Sequence, residues 1–365
     1  MDVTISDVAR RAGVAKSTVS LVLNGRPGVS PETRAAVLRA AGELGYAPRR
    51  STPEGAPLTR TLLVICQRYP GRQVQEIGLV YSAYIDGVRQ VTNARTCDLV
   101  VLPISAEAVD RAQTPGELML DAVRADGILI AGLRAPDDPL LRLIRQLRVP
   151  FLALGRHWPA ADFGYVGIDD QEAMARAVEY LAGLGHREIA FLGEDLTHRF
   201  MWHQLRVAGW RQGLERSQLA HLSERVVIAG SPEEGVAQAL ARWPQTSALI
   251  GVHDHWAQGV VRALHGRGLG VPGDVSVVGH DNTCGLDPAR ASLPGAVPLT
   301  SIDPQQARAG RLGAEALLRC VEEAEIVHVQ LTLRWHLAER ASTGAAPGSS
   351  RPGRPPRRPR SSRGR

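Results

Sequence analysis

Residues 5–24 decide how the first part of this chain folds, and they read Ile-Ser-Asp-Val-Ala-Arg-Arg-Ala-Gly-Val-Ala-Lys-Ser-Thr-Val-Ser-Leu-Val-Leu-Asn. Apolar residues in the first half recur at the i, i+3, i+4 and i+7 spacing of an amphipathic helix, with Ser6 as its candidate N-cap. Gly13 is expected to end that helix, since glycine commonly follows a helix C-terminus. A second helix then runs from about Lys16 to Asn24, with one apolar and one polar face. Two helices joined by a glycine-containing turn are typical of a helix-turn-helix unit.

A third helical pattern completes this unit. It begins at residues 30–32, where an N-cap serine precedes a first-turn proline and an acidic residue that suits the helix dipole. It ends at Gly45. The outer face of the second helix is short, polar and free of acids, as is required of a helix that lies against DNA bases. DNA binding is therefore favoured over the alternative, a three-helix module for protein contacts. The residues that the third helix is predicted to bury are Val37, Leu38, Ala41 and Leu44.

The charge of the chain is distributed unevenly. The 365 residues carry a net charge of +6, which comes from 43 Lys and Arg against 37 Asp and Glu. Residues 1–60 carry nine basic and five acidic groups, residues 61–343 carry 27 and 32, and residues 344–365 carry seven and none. A mildly acidic body is thus flanked by two basic ends, which predicts a polyanionic partner at one end or both. Because 44% of the residues are hydrophobic, the chain can form cores, and wholesale disorder is excluded.

The sequence predicts a cytoplasmic protein. Its first residues include acids and no apolar run behind a basic start, so no signal peptide is expected. No stretch approaches the roughly 18 apolar residues of a membrane span, so no membrane partner is expected. The cysteines lie far apart and form no Cys-x-x-Cys pair, which favours buried reduced thiols over a metal or redox site. They are Cys66, Cys97, Cys284 and Cys320.

Short, continuous apolar runs recur through the body of the chain. They begin about every 22 to 38 residues, and helix-like segments separate them. This arrangement is typical of βαβ units whose parallel strands are buried on both faces. Eight strands exceed what one small domain holds, so we expect an all-α helix-turn-helix headpiece joined to an α/β core of two doubly wound parallel-sheet lobes. The runs are Leu62–Ile65, Leu99–Leu102, Ile128–Ala131, Phe151–Leu154, Ile189–Leu192, Val226–Ile228, Ala248–Val252 and Val275–Val278.

Polar groups directly follow four of these runs. Ligands of open parallel sheets bind beyond the carboxyl ends of the strands, and carboxylates and amides placed there suit a polyol or a similar small molecule. A metal site is less favoured, because His253-Asp254-His255 supplies two histidines where three or four converging ligands are needed. The sequence has no nucleophile elbow or phosphate-binding loop, so neither an enzyme nor a cofactor is predicted. The four groups are Arg156-His157, Glu194-Asp195, His253-Asp254-His255 and His280-Asp281-Asn282.

The motifs of the headpiece agree in order and spacing with those of a known family. They are Val3-Thr4-Ile5-Ser6-Asp7-Val8-Ala9, Ala12-Gly13-Val14, Ser17-Thr18-Val19-Ser20, Val22-Leu23-Asn24-Gly25, Val29-Ser30-Pro31-Glu32-Thr33-Arg34, Leu44-Gly45-Tyr46 and Pro48. In these motifs the chain resembles the lactose/galactose-repressor (LacI/GalR-type) family of transcriptional regulators. The resemblance implies that the second helix enters the major groove and that Lys16 and Ser17 contact bases. It also implies that the residues near phosphates are Thr18, Ser20, Asn24 and Tyr46.

Leu21 departs from this family, which usually has Arg at the matching position. A leucine cannot donate a hydrogen bond to guanine, so Leu21 either contacts a thymine methyl group or packs against its neighbours. We therefore expect an operator that differs from the common family half-site at that base pair. Lys16 is the only lysine in the sequence, and a lysine donates well to guanine O6 and N7.

Residues 49–60 form a linker that departs from the family. Relatives usually place a short hinge helix here, whose leucine enters the minor groove. Pro53 and Pro57, with Gly55 between them, strongly disfavour a helix, and the position of that leucine falls at about Gly55. The linker is therefore either a plain flexible segment or an extended arm whose Arg49 and Arg50 follow the minor groove.

The body continues the resemblance, most strongly after Gly167. The matching motifs are Val166-Gly167-Ile168-Asp169-Asp170, Gly185-His186-Arg187, Ile189-Ala190, Arg206-Val207-Ala208-Gly209-Trp210, Asp254 with Ala257 and Gly259, Val271-Pro272, Val278-Gly279-His280-Asp281, Pro298-Leu299-Thr300 and Arg340-Ala341-Ser342-Thr343. The family's core resembles periplasmic sugar-binding proteins and closes on an effector. The resemblance implies an effector cleft lined by Arg206, Asp281 and His253, with Asp254 and Arg156 as further candidates.

This region also departs from the family at three places. His253 replaces a common Asn, and the loop Arg68–Gln75 lacks the usual Asn-Pro-Phe-Phe stretch. The position that often stacks an aromatic ring on a sugar falls near Ser231, which is predicted instead to cap the helix that follows. A stacking face is then supplied by Trp202 or Trp256, unless both belong to the core.

Residues 344–365 are rich in Pro, Arg, Gly and Ser and are predicted to be disordered. Such a tail either tethers the protein to DNA without specificity or is a dispensable extension. The headpiece is assigned to residues 1–48 and the effector-binding and dimerisation core to residues 61–343.

The sequence as a whole predicts a sequence-specific transcriptional repressor. It is expected to bind a pseudo-palindromic double-stranded DNA operator as a homodimer, with a tetramer as the larger alternative. A carbohydrate-like small molecule bound between the core lobes is expected to control operator affinity. The alternative is a cytosolic small-molecule binding protein without operator-specific regulation, which the headpiece argues against.

Overall fold

The computed structural model describes residues 4–23, 28–44, 60–68, 74–158, 160–195, 200–286, 297–323 and 329–348. The chain divides into one unit that ends at Leu58 and another that begins at Thr59. Nearly all of the predicted linker lies outside the described residues. The predicted boundary moves by one residue, because Arg60 already belongs to the first strand of the body.

The first unit consists of three helices, α1 (Ile5–Ala12), α2 (Lys16–Leu23) and α3 (Pro31–Leu44). The N-cap of α1 is Thr4 and not Ser6 as predicted, and the Asp7 carboxylate accepts hydrogen bonds from the Thr4 backbone (2.9 Å) and hydroxyl (2.6 Å). Gly13 ends α1 as expected, with a left-handed φ of 66° that favours glycine.

A small apolar core joins the three helices. It contains residues from one face of each helix, and Leu38 is not among them, because its side chain is 48% exposed. The prediction that Leu38 is buried was therefore wrong; it lies about 100° around α3 from the buried Val37, whereas Ala40 and Ala41 lie on the inner face. The core residues are Val8, Ala9, Val19, Val22, Val37, Ala40 and Ala41.

The second unit contains two lobes, each with a six-stranded sheet. The N-lobe sheet has the order β11-β5-β4-β3-β1-β2, and all its strands are parallel. Its strands are β1 (Arg60–Arg68), β2 (Cys97–Ser105), β3 (Gly127–Ala131), β4 (Phe151–Arg156), β5 (Gly164–Ile168) and β11 (Gln330–Leu333). Its helices are α4 (Val74–Ala94), α5 (Ala106–Arg111), α6 (Pro139–Gln146) and α12 (Gln306–Glu323).

The C-lobe sheet has the order β12-β10-β9-β8-β6-β7, in which β12 alone is antiparallel to its neighbour. Its strands are β6 (Ile189–Glu194), β7 (Val226–Ala229), β8 (Ala248–Gly251), β9 (Ser276–His280), β10 (Thr300–Asp303) and β12 (His336–Ala338). Its helices are α7 (Asp170–Gly183), α8 (Met201–Arg216), α9 (Pro232–Arg242), α10 (Asp254–His265) and α11 (Thr283–Leu286).

All eight apolar runs form strands, and the two-lobed α/β core is confirmed. Four further strands, β5, β10, β11 and β12, were not predicted from the sequence. Two glycines interrupt the apolar pattern of β5, and the first three residues of β11 are exposed at a sheet edge. The chain crosses between the lobes after β5, after β10 and between β11 and β12, so the carboxyl ends of both sheets face a common cleft.

Two helices of the N-lobe, α4 and α12, pack with their backbones in contact. A Cβ atom at Gly310 would lie 2.1 Å from the Tyr84 carbonyl oxygen, and one at Gly87 would lie 1.9 Å from the Ala307 carbonyl oxygen. Any larger residue at either position would force the two helices apart.

The described chain continues into the segment that was predicted to be disordered. The Gly344 backbone donates to the Ser276 hydroxyl (3.1 Å), its carbonyl lies 3.2 Å from His186 Nε2, and the Ala346 backbone donates to the Leu184 carbonyl (2.9 Å). Residues 344–348 therefore belong to the C-lobe, and the prediction of disorder from residue 344 was wrong at this end because their backbone groups are paired. Residues 349–365 lie outside the described residues.

Within the described ranges, no helix is long and apolar enough to cross a membrane. Cys66, Cys97 and Cys320 are free thiols. Burial raises the pKa of the Cys66 thiol to about 12, so this thiol stays protonated at neutral pH.

Candidate nucleic-acid interface and ligand cleft

The second helix of the headpiece, α2, presents its predicted base-contacting face to solvent. Lys16 and Ser17 are exposed, Thr18 and Ser20 are half-buried, and Leu21 is 40% exposed. The opposite face packs into the headpiece core, so the two faces separate as the sequence pattern predicts. Two further predicted DNA contacts, Asn24 and Tyr46, lie outside the described residues.

The orientation of α2 is fixed by a contact with α3. The Arg34 guanidinium donates to the Val22 carbonyl in the last turn of α2 (3.3 Å). A cation at a helix C-terminus satisfies carbonyls that have no partner within the helix and complements the helix dipole. The first turn of α2 contains no acid, so nothing in that turn repels a polyanion.

A cleft between the two lobes forms the second candidate site. It encloses about 660 Å³ of space open to solvent, and its lining comes from the ends of strands and helices of both lobes. Three of the five predicted effector residues, Arg156, Arg206 and Asp281, line it. The remaining lining residues are Val80, Tyr81, Tyr84, Gly132, Leu154, Gly155, Asp170, Trp202, His280 and Pro304.

Arg206, on α8, lies at the centre of the polar side of this cleft. Its Nε donates to Asp170 Oδ1 (3.1 Å), its Nη2 to Asp281 Oδ1 (3.2 Å) and its Nη1 to the Val252 carbonyl (2.7 Å). The guanidinium also lies over the Trp202 ring, 4.9 Å from the ring centre. A buried cation needs this number of partners, because its desolvation is costly.

The carboxylates beside Arg206 are held in the charged form. Burial by itself raises the pKa of Asp170, but Arg206, His280 and Arg156 outweigh it and lower the pKa to about 2. The pKa of Asp281 is likewise held well below its usual range, because Arg206 and His280 outweigh the effect of burial. Burial opposes the charge of Arg206 as well, yet Asp281 and Asp170 raise its pKa.

His280 and Arg156 extend the network on either side. His280 Nδ1 lies 2.8 Å from Asp281 Oδ1 and its Nε2 lies 3.3 Å from Asp170 Oδ1. Arg156, at the end of β4, donates to the Leu133 carbonyl (3.1 Å), and its Nε lies 4.0 Å from Asp170 Oδ2. Two cations and two carboxylates therefore balance each other around the cleft.

His253 and Asp254, the other two residues predicted as effector contacts, are not among the residues that line this cleft. His253 is the N-cap of α10: its Nδ1 accepts from the Trp256 backbone (3.2 Å), and its Nε2 lies 3.4 Å from Glu194 Oε2. Asp254 is fully buried behind the cleft. These two residues thus support the fold around α10.

The Asp254 carboxylate accepts hydrogen bonds from neutral donors. Its Oδ1 accepts from the Ser301 hydroxyl (2.6 Å), and its Oδ2 accepts from the Thr283 backbone (2.6 Å) and hydroxyl (3.0 Å). Burial raises the pKa of Asp254 to about 6, although these hydrogen bonds oppose the shift. The carboxylate therefore ties α10 to α11 and β10.

Several residues of the cleft were not predicted from the sequence, and the tryptophan that faces the ligand was left open between two. Both tryptophans considered for stacking are buried and belong to the core, and of the two Trp202 also lines the cleft. Asp170 stood in a matching motif without an assigned role, because the strand before it was not recognised. Tyr84 lies within a helix, where no sequence pattern distinguishes a cleft residue from a core residue. Ser231 caps α9 as predicted.

Both units of the chain match families of known proteins. The profile described as Bacterial regulatory proteins, lacI family, matches residues 4–49, and the one described as Periplasmic binding protein-like domain matches residues 178–343. The HTH-type transcriptional regulator CelR of Thermobifida fusca is 30% identical over 361 residues, which cover 93% of this chain and 98% of that protein.

Solved structures agree with this match. A transcriptional regulator CelR–cellobiose complex superposes with a TM-score of 0.65 at 28% identity, covering 93% of this chain and 99% of that chain. The lac repressor dimer bound to operator and the anti-inducer ONPF superposes with a TM-score of 0.63 at 25% identity, covering 94% and 100%.

Proposed function

This chain belongs to the lacI family of bacterial regulatory proteins, and we propose that it represses transcription by binding a pseudo-palindromic operator whose affinity is set by a carbohydrate-like effector. The observation that carries this proposal is the charge-balanced network around Arg206 in a cleft between two lobes. A neutral, hydroxyl-rich ligand suits such a site, since the two cations and two carboxylates leave no net charge for an ionic ligand to neutralise.

The headpiece supplies the DNA contacts. Lys16 donates to guanine O6 and N7, Ser17 hydrogen-bonds a base edge, and Leu21 contacts a thymine methyl group. Four further residues of this part of the chain are proposed to bond phosphates: Thr18, Ser20, Asn24 and Tyr46. A single headpiece discriminates poorly between sequences, so two copies of the chain bind the two half-sites as a homodimer.

The effector acts through the lobes. Ligand contacts come from Arg206 and Asp281 on the C-lobe and from Arg156 on the N-lobe, so a bound ligand favours one relative orientation of the lobes. A coupling of about 1–3 kcal/mol would change operator affinity by about 5- to 150-fold. We propose no catalytic activity, because Arg206, Asp170 and Asp281 are bonded to one another and not arranged as a nucleophile and its base.

Selection of binding sites from a random DNA library, followed by footprinting, tests the DNA-binding part with the full chain. Wild-type protein should enrich a two-fold symmetric sequence, and Lys16→Ala should weaken binding to it about tenfold or more. Arg10→Ala is the matched control, because Arg10 is an exposed cation of the headpiece that pairs with Asp7 on α1. Failure to enrich any sequence would overturn the proposal.

Leu21→Arg tests the base preference separately. An arginine in this place donates two hydrogen bonds to guanine, so the selected sequence should change from T to G at one position of each half-site. An unchanged preference would show that Leu21 packs against its neighbours and does not contact a base.

The effector part is tested by ligand-dependent stabilisation and operator release. Cellobiose, D-glucose and D-ribose are added to wild-type protein and to Asp281→Asn, and the unfolding temperature is recorded. A sugar that stabilises the wild type but not the variant, and that also changes operator affinity, supports the proposal. Stabilisation without any change in operator affinity would favour a binding protein without regulation.

A further inference from the structure

Tyr84 is a buried cleft residue whose hydroxyl group has no hydrogen-bond partner among the described residues. It lies on α4, its side chain is 6% exposed, and it lines the cleft that also contains Arg206 and Asp281. Among the described residues, this hydroxyl oxygen is not one of the fully buried polar atoms that lack a partner, so it is open to the cleft. An unpaired hydroxyl at the wall of a ligand cleft therefore indicates a group that the ligand or water satisfies.

Tyr81 provides the internal comparison. It lies one helical turn before Tyr84 and lines the same cleft, but its hydroxyl donates to the Gln67 carbonyl on β1. Of two phenols on one face of α4, one thus bonds to the protein itself and the other does not. The helix geometry alone does not explain the difference, because residues three apart share a face.

The surroundings of Tyr84 make its hydroxyl a hydrogen-bond donor. A Cβ atom at Gly155 would lie 3.1 Å from the Tyr84 hydroxyl oxygen, so this oxygen lies against the backbone at the end of β4. Burial raises the pKa of Tyr84, and the charges of Asp281 and Asp170 raise it further against the opposing effect of Arg156 and Arg206. The phenol is therefore protonated at neutral pH.

We propose that Tyr84 determines ligand specificity by donating a hydrogen bond from its hydroxyl to an oxygen atom of the effector. This inference rests on the proposed function of the cleft. The ligand class is a neutral compound with a hydroxyl or ring oxygen at that point, since the neighbouring carboxylates already carry the negative charge. A site built to bond an oxygen rejects an analogue that lacks it, because the phenol is then left unpaired.

Tyr84 belongs to the N-lobe, whereas other residues of the cleft belong to the C-lobe. Its carbonyl oxygen meets α12 at Gly310, where the two N-lobe helices are in backbone contact. Arg206 and Asp281 belong to the C-lobe. A ligand held by Tyr84 on one side and by Arg206 on the other therefore bridges the lobes.

Tyr84→Phe is the test variant and Tyr81→Phe is its matched control on the same helix. Without ligand, Tyr84→Phe should unfold at the wild-type temperature or above it, because only an unpaired hydroxyl is removed. Tyr81→Phe should unfold about 2–4 °C lower, since it loses a hydrogen bond inside the protein. Equal destabilisation by both changes would assign Tyr84 a structural role and overturn the inference.

Calorimetric titration of the full-length proteins with cellobiose, D-glucose and D-ribose completes the test. For a sugar that binds the wild type, Tyr84→Phe should lose about tenfold or more in affinity, and more than Tyr81→Phe, whose hydroxyl is already bonded to the Gln67 carbonyl. An unchanged affinity of Tyr84→Phe would overturn the role of Tyr84 and leave the proposed function standing. If no sugar binds the wild type, the proposal of a carbohydrate-like effector is wrong, and this inference fails with it.

Discussion

Two buried carboxylate networks lie close together in the C-lobe and differ in their partners. In the cleft network, Asp170 and Asp281 pair with the Arg206 guanidinium. In the network behind it, Asp254 accepts from Ser301 and Thr283, which carry no charge. The pKa of Asp170 is lowered to about 2, whereas that of Asp254 is raised to about 6. Burial acts in the same direction on both acids, so the partner decides the sign of the shift.

This difference separates a ligand site from a structural site. A carboxylate that stays charged beside an arginine at the wall of a cleft is able to accept hydrogen bonds from ligand hydroxyls. A carboxylate whose two oxygens are already occupied by protein donors holds elements of the fold together. Asp281 was predicted to line the effector cleft and Asp254 was a further candidate, and the two carboxylates belong to different networks.

Removal of the cation should have the largest effect on stability. Arg206→Ala leaves Asp170 and Asp281 buried without their partner, so the free energy of unfolding should fall by about 3–5 kcal/mol. Urea denaturation measures this change. Arg176→Ala is the control, because Arg176 pairs with Glu172 and Glu179 on the surface and is 56% exposed; its loss should change the free energy of unfolding little, since solvent screens an exposed ion pair. Equal losses would contradict the importance of burial in the cleft network.

The second largest effect is expected from pH, because the stability of the two networks should depend on pH in different ways. The pKa of Asp254 is raised from the usual 3.8 to about 6 by folding, so its contribution to stability is complete below pH 4 and is lost as the pH rises through 6. At 1.36 kcal/mol per pKa unit, the loss is about 3 kcal/mol. Asp254→Asn removes this titration, and its free energy of unfolding should therefore vary less between pH 4 and 6.5 than that of the wild type.

The contribution of Asp170 to the free energy of unfolding should change with pH in the opposite direction to that of Asp254. Its pKa is lowered to about 2 in the folded protein, so its contribution is present above pH 4 and is lost as the pH falls towards 2. Asp254→Asn should leave this acid-side loss in place. Identical pH profiles of the variant and the wild type between pH 4 and 6.5 would mean that Asp254 does not titrate there.

Removal of one neutral donor should have a moderate effect. Ser301→Ala deletes the 2.6 Å hydrogen bond to Asp254 Oδ1 and should lower the free energy of unfolding by about 1–3 kcal/mol at neutral pH. The pKa of Asp254 should rise further, because this hydrogen bond lowers it. Ser82→Ala serves as the control, since the Ser82 hydroxyl makes an exposed bond to the Leu79 carbonyl within α4. A similar small change in both variants would contradict the role of Ser301.

The smallest effect is expected at Thr283. Thr283→Val keeps the shape of the side chain and the backbone hydrogen bond to Asp254 Oδ2 but deletes the 3.0 Å bond from the hydroxyl. The free energy of unfolding should fall by about 1 kcal/mol, less than for Ser301→Ala. A larger loss than for Ser301→Ala would contradict this prediction, since the Thr283 hydroxyl would then contribute more to stability than the Ser301 hydroxyl.

The headpiece was predictable from the sequence almost completely. Its elements are local: helix spacing, Gly13 and the residues before Pro31 fix three helices whose core is made by neighbours in the chain. Leu38 is the exception, because an apolar residue next to the buried stripe looks like part of it until the inner face is known. The N-cap of α1 was placed two residues late for a similar reason, since Thr4 and Ser6 are both suitable capping residues.

The body was predictable to a lesser degree. Continuous apolar runs identified eight strands, but β5 and β11 lack such runs and were not predicted. Arg206 and Asp281 were placed in the cleft correctly through family resemblance. His253 and Asp254 also follow a strand of the same sheet, but His253 Nδ1 accepts from the Trp256 backbone and Asp254 accepts from Thr283 and Ser301.

The sequence by itself determined the helix-turn-helix headpiece, the doubly wound class of the core and the family to which the chain belongs. These depend on local spacing and on apolar runs, which short stretches of sequence contain. The tertiary structure alone decided that Tyr84, Asp170, Arg206 and Asp281 converge on one cleft and that Asp254 lies behind it. These side chains come from helices and strand ends far apart in the chain, and their meeting depends on how the chain crosses between the two lobes.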